Sequence, residues 1–87
     1  MPSTSDNALQ GIFGKLEERL NRARRLHPEF SFGPYQALGV VEAEVGEFAR
    51  EVIKGKPGWR GRAEDELYDV MVTAIRFLLG EYVQEEG

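Results

Sequence analysis

Pro34-Tyr-Gln-Ala-Leu-Gly-Val-Val-Glu-Ala-Glu-Val-Gly-Glu-Phe-Ala-Arg-Glu-Val-Ile-Lys54 is the segment on which the fold turns. Leu38, Val41, Val45, Phe48, Ala49 and Val52 recur at intervals of three and four, the period that lines one face of an α-helix. Pro34 suits a first helical turn and Gly55 a C-terminal stop, so the spacing predicts a helix over about 34–54.

Upstream, Leu9, Ile12, Phe13, Leu16, Leu20, Ala23 and Leu26 repeat the pattern. They predict a helix over about 6–27, with Ser3, Thr4, Ser5 and Asp6 as candidate caps and Pro28 as its stop. Gly11 and Gly14 weaken this helix, by about 1 kcal/mol each relative to alanine if exposed, or mark a close helix contact. Between the two helices lie Phe30 and Phe32, expected to fold back onto the core.

Downstream, residues 55–62 hold three glycines and one proline, which reads as a turn-rich loop. Leu67, Val70, Met71, Ala74, Ile75, Phe77, Leu78 and Tyr82 then predict a third helix over about 63–83. The expectation is an all-α chain of three helices forming one domain over 1–87.

With Tyr68, Val72 and Leu79 added, the apolar residues of the third helix span roughly 220° of its circumference, more than one neighbour covers. A second burying surface is implied, most simply a twofold partner, so that the pooled helices form a four-helix-bundle-like dimer core. A homodimer or homotetramer is therefore expected, the alternative being exposed apolar area of the ordinary kind.

With 87 residues and no cysteine, the chain has neither a disulfide staple nor a thiolate metal site, which leaves oligomerisation or a bound cation to support so small a core. A net charge of -4 disfavours a nucleic-acid polymer as partner. Residues 1–7 lack the basic start and apolar core expected of a signal peptide, and no apolar run approaches the roughly 20 residues of a membrane span. The expected location is cytoplasmic, without a membrane partner.

Glu44 and Glu47 in the second helix, and Glu66 and Asp69 in the third, are acidic pairs at i and i+3. That spacing stacks both side chains of a pair on one helical face, where like charges repel unless a cation sits between them. Glu44 lies about 80° and Glu47 about 140° from the centre of their helix's apolar stripe, so both leave along one flank, which Glu51 continues. Glu66, Asp69, Thr73 and Arg76 form a corresponding flank on the third helix. If the helices are neighbours, both flanks border one cleft, whose oxygen donors suit a hard divalent cation such as Mg2+, with Mn2+ as a substitute.

These residues resemble the MazG-like, all-α nucleoside triphosphate pyrophosphohydrolases, whose mark is an ExxE pair and an ExxD pair on successive helices. The resemblance covers approximately Pro34 to Leu79 and rests on residues 37–51 and 64–70. It implies that Glu44, Glu47, Glu66 and Asp69 are catalytic metal ligands. It also implies hydrolysis of an NTP or dNTP to the monophosphate and pyrophosphate, such as housekeeping of non-standard nucleotides. Family members often carry a further acid just before the first motif glutamate, where this chain has Ala43, with Glu42 one residue earlier. Many also continue with another helix, whereas eight residues follow Leu79 here. The related phosphoribosyl-ATP pyrophosphohydrolases share the chemistry.

Lys54, Lys56, Arg60 and Arg62 surround the loop between the acidic helices, where they could meet substrate phosphates or merely solubilise a helix end. Trp59 could stack on a base or plug the end of the core. Arg76 could reach phosphate or pair with Asp69 or Glu47, and His27 suits a helix-end position beside the dipole. Two other functions compete with the enzyme. One is a non-catalytic helical interaction module that uses its apolar surface for partners. The other is a di-iron bundle, which wants Glu-x-x-His pairs that neither Glu44 nor Glu66 begins.

Overall fold

The computed structural model describes residues 4–82 and places them in three helices with no strand among them: α1 (Thr4–Leu26), α2 (Gly33–Lys54) and α3 (Trp59–Leu78). The second helix begins behind Phe32, whose N–H donates to the Gln36 side chain, and Pro34 occupies the first turn, where a missing N–H costs nothing. It ends at Gly55, which takes the left-handed conformation (φ 59°) and donates its N–H to the Glu51 carbonyl.

Helix α3 starts earlier than the glycine count suggests. Gly58 at φ 82° caps it, and Trp59, Arg60, Gly61 and Arg62 are already helical. The loop over 55–62 thus shrinks to 55–58, because two left-handed glycines, Gly55 and Gly58, on either side of Lys56 and Pro57 reverse the chain and Gly61 takes no part in the turn. At its other end α3 stops at Leu78, ahead of the expected 83. The chain turns there through Gly80 (φ 69°), which leaves Tyr82 outside the helix and against the Phe77 ring, 5.4 Å between centroids. The expected stretch beyond Tyr82 lies outside the described residues.

So short a connection makes α2 and α3 an antiparallel hairpin. Partner positions confirm it, since Glu51 meets Arg62 near the turn while Leu38 and Val41 border Ala74, Phe77 and Leu78 at the far end. This is the main packing contact, and among the described residues α1 packs on α3 alone, more sparingly. Two buried alanines, Ala37 and Ala63, and Val72 form the sealed interior.

No large side chain is fully buried among the described residues, while Leu38, Val45, Val52, Leu67 and Leu78 stay exposed. The radius of gyration, 15.0 Å, exceeds the roughly 12 Å of a compact domain of this length. The molecule is an open slab, and its apolar stripes are only partly covered.

The connection between α1 and α2 is held by Arg76, 2% exposed. Its guanidinium donates to the carbonyls of His27 and Pro28 and to Glu81, 3.0 Å away, which also receives Arg24 from α1. Phe30 lies 5.2 Å beneath the same guanidinium, an arrangement stabilised by the ring's negative face. Phe32, expected to fold inward, is instead 73% exposed, because the turn into α2 points it away. Nothing lies within 4 Å of where a Cβ would sit on Gly11 or Gly14, so neither marks a close contact among the described residues.

Candidate metal centre

Antiparallel packing of α2 on α3 sets the two acidic flanks against each other. Glu44 from α2 and Glu66 and Asp69 from α3 each offer a carboxylate oxygen, and these atoms lie within 4.8 Å of one another. The Oε2 atoms of Glu44 and Glu66 are shut off from solvent and have no hydrogen-bond partner among the described residues. A buried carboxylate oxygen left unsatisfied is costly unless it is protonated or ligates a cation.

The electrostatics report the same crowding. Burial, followed by repulsion from Glu47, Asp69 and Glu66, pushes the Glu44 carboxyl up from 4.5 to about 7. The Glu66 carboxyl is raised as well, first by burial and then by Glu47, which acts through its charge and can share a proton with it. Asp69 is raised chiefly by burial, with Arg19 opposing the shift and Asp65 and Glu47 adding to it. Glu47 itself is exposed and stands outside the tight trio, near enough to act on all three. Glu44, Glu66 and Asp69, with Glu47 at their edge, thus gather oxygen donors of the kind hard divalent cations take.

The cluster opens on three sides. A cleft of about 380 Å³ between the α1–α2 connection and α3 includes Glu44, Asp69, Thr73 and Arg76. A second, of about 420 Å³, holds Glu47, Arg50, Glu51, Lys54 and Glu66. The largest, about 540 Å³, runs between α1 and α3, with Lys15, Arg19 and Arg22 on one wall and Asp65 and Asp69 on the other. Asp69 borders both the first and the third of these clefts.

The basic residues expected near substrate are distributed differently. Lys54 shares the cleft of Glu47 and Glu66. Arg62 is tied to Glu51 at 3.0 Å and to the Pro57 carbonyl at 3.2 Å, so the acid that continues the α2 ridge is already neutralised. Arg60 pairs with Glu64 one turn along α3, at 3.1 Å on the exposed face. Lys56 is exposed in the turn, and Trp59 is the first residue of α3, 37% exposed.

Arg76 pairs with neither Asp69 nor Glu47, because its guanidinium is consumed by Glu81 and two carbonyls. Thr73 is likewise turned onto its own helix, donating to the carbonyls of Asp69 and Val70. His27 terminates α1 as expected, its N–H donating to the Ala23 carbonyl at 2.8 Å.

The α1 wall was not singled out from sequence. Lys15, Arg19 and Arg22 at i, i+4 and i+7 share one face of α1, a signal present in the sequence but indistinguishable there from solubilising charge. In the fold, Arg19 ion-pairs with Asp65 at 2.7 Å, and Lys15 and Arg19 both lie over the Tyr68 ring at 5.2 and 4.9 Å. Comparison with family models, curated proteins and solved structures finds no match to this chain.

Proposed function

We propose that this protein is a magnesium-dependent nucleoside triphosphate pyrophosphohydrolase. The observation that carries the reading is the pair of orphaned buried oxygens, Glu44 Oε2 and Glu66 Oε2, contributed by two helices to one carboxylate trio with Asp69. Four acids so arranged are unfavourable to folding by themselves and become favourable around a divalent cation. The ExxE and ExxD spacing, and the resemblance it carries, point to the same chemistry.

Bound Mg2+ would supply charge neutralisation at the phosphates and a more acidic water. Glu44, Glu66 and Asp69 would hold the ion, with Glu47 at the exposed edge. The water oxygen bonds to the α-phosphorus, the bond from that phosphorus to the α–β bridging oxygen breaks, and the oxygen departs with pyrophosphate. One of the four acids accepts the proton the water gives up. The products are a nucleoside monophosphate and pyrophosphate.

We also propose that the working unit is a homodimer or a larger assembly in the cytoplasm. The seam of Leu38, Val41, Ala74, Phe77 and Leu78 forms an apolar depression of about 320 Å³, and the exposed stripes of α2 and α3 flank it. A second copy of the hairpin would bury these surfaces and complete a four-helix bundle. The same exposed stripes favour the second reading, an interaction module whose acids only keep it soluble.

Incubation with each common and deoxy nucleoside triphosphate and Mg2+, followed by pyrophosphate detection, separates the two. Product from the native chain and none from Glu66→Gln is the expected result. No product from any nucleotide leaves the interaction module standing.

A further inference from the structure

The cleft between α1 and α3 has an unequal charge balance once the metal centre is considered. Its lining carries Lys15, Arg19 and Arg22 against Glu18, Asp65 and Asp69, with His27 at one end. Asp65 is already paired with Arg19, and Asp69 belongs to the carboxylate trio. A cation held by the trio therefore leaves Lys15 and Arg22 facing Glu18 alone. Arg22 makes no ion pair or hydrogen bond among the described residues, and Lys15 makes only its contact with the Tyr68 ring. At about 540 Å³ the space lies within the range that admits a nucleotide-sized ligand.

We propose that this cleft is the polyphosphate subsite, where Lys15, Arg19 and Arg22 grip the terminal phosphates and from which pyrophosphate leaves. The inference rests on the pyrophosphohydrolase reading and deepens it by assigning the phosphate-binding cations to α1. A guanidinium offers a planar fork of donors to phosphate oxygens, and a lysine adds a mobile point charge. With Asp69 at the shared edge, a phosphate chain lying along α1 reaches the metal ligands directly. The rival location is the cleft of Arg50 and Lys54, where two cations face Glu47, Glu51 and Glu66. With Glu51 there paired with Arg62, and Glu47 and Glu66 belonging to the proposed metal centre, Arg50 and Lys54 are left over as well. That cleft is smaller, however, about 420 Å³, and offers two cations where the α1 cleft offers three.

Two titrations of the full chain test the proposal, first with Mn2+ alone and then with inorganic pyrophosphate at saturating Mn2+. Lys15→Gln and Arg22→Gln should each bind Mn2+ as the native chain does and weaken pyrophosphate binding about tenfold, the loss expected for one charged hydrogen bond. Arg25→Gln, an equal change of net charge on α1 away from the cleft lining, should alter neither titration. Undiminished pyrophosphate binding in Lys15→Gln and Arg22→Gln overturns the subsite and leaves the metal centre intact. Loss confined to Arg50→Gln and Lys54→Gln overturns it in favour of the rival cleft. Absence of Mn2+ binding in the native chain brings down the metal reading, and the subsite with it.

Discussion

Glu44 on α2 and Glu66 on α3 each bury their Oε2 atom without a hydrogen-bond partner among the described residues, facing each other across the antiparallel hairpin. Repulsion between them is built into the folded state. The unfolded chain, in which both are solvated, is free of it. That difference makes the stability of the protein depend on pH and on metal.

Without metal, stability should fall as pH rises. Glu44 ionises near 4.5 in an ordinary setting and near 7 in the fold, so between those values the folded state holds a proton that the unfolded state has lost. Each step of pH upward through this window favours unfolding, and above about 7 the effect levels off. Melting temperatures measured in chelator from pH 5 to 8 should decline, and Glu44→Gln should flatten the curve and melt higher than the native chain at pH 8. A native curve that rises across this range contradicts the crowding.

Mg2+ or Mn2+ should reverse that loss. A ligand that binds only the folded state raises the melting temperature, and protons compete for the same carboxylates. Affinity should therefore climb as pH rises toward 7, by about tenfold per unit for each proton displaced, and level off beyond. Calorimetric titration at pH 6 and pH 8 reads the difference. Glu66→Gln and Asp69→Asn should each abolish the response.

Arg76 is the structural anchor of the α1–α2 connection, and Arg76→Met should cost about 3 kcal/mol, because it leaves the carbonyls of His27 and Pro28 without their buried donor and Glu81 with Arg24 alone. Urea unfolding measures the loss. Arg24 foremost, by hydrogen bonding, and Arg76 hold the Glu81 carboxyl below its usual range, so this contribution is complete above about 4.5 and is lost as pH falls beneath it. Glu81→Gln should lower stability at pH 7 and converge with the native chain in acid.

The apolar seam predicts the state of assembly. If α2 and α3 bury Leu38 and Leu78 against a second copy, the native chain should sediment as a dimer or larger species, and Leu38→Glu combined with Leu78→Glu should sediment as a monomer. Both residues are at least half exposed in the single chain, so the change strikes the association before the hairpin. A native chain that is monomeric at micromolar concentration rules the assembly out.

Much of the hairpin was legible in the sequence. The three-and-four spacing from Leu38 to Val52 defines α2 to within a residue, since helical period and apolar period coincide there. The four acids were equally visible, because i, i+3 pairs on one face follow from helix geometry alone. Less visible was the start of α3. Gly61 counted as a loop residue, although only Gly55 and Gly58 carry the positive φ of the turn.

Charge partners were least legible. Arg62 chose Glu51, Arg60 chose Glu64, and Arg76 chose Glu81 and two carbonyls over Asp69 or Glu47. Long basic side chains reach many acids in an unfolded sequence, and only the packed backbone decides which lies within 3 Å or so. The wall of Lys15, Arg19 and Arg22 has no distinct mark in the sequence for the same reason, as its meaning comes from Asp65, Tyr68 and Asp69 on another helix.

By itself the sequence determined three amphipathic helices and the faces on which their acids lie, because periodicity is a local property of the chain. The tertiary structure alone decided that Glu44, Glu66 and Asp69 meet within 4.8 Å, and that two of their oxygens are sealed from water. Desolvation, and the crowding of one helix's acids by the other's, exist only between packed elements, so the full strain at this centre appears once α2 folds back on α3.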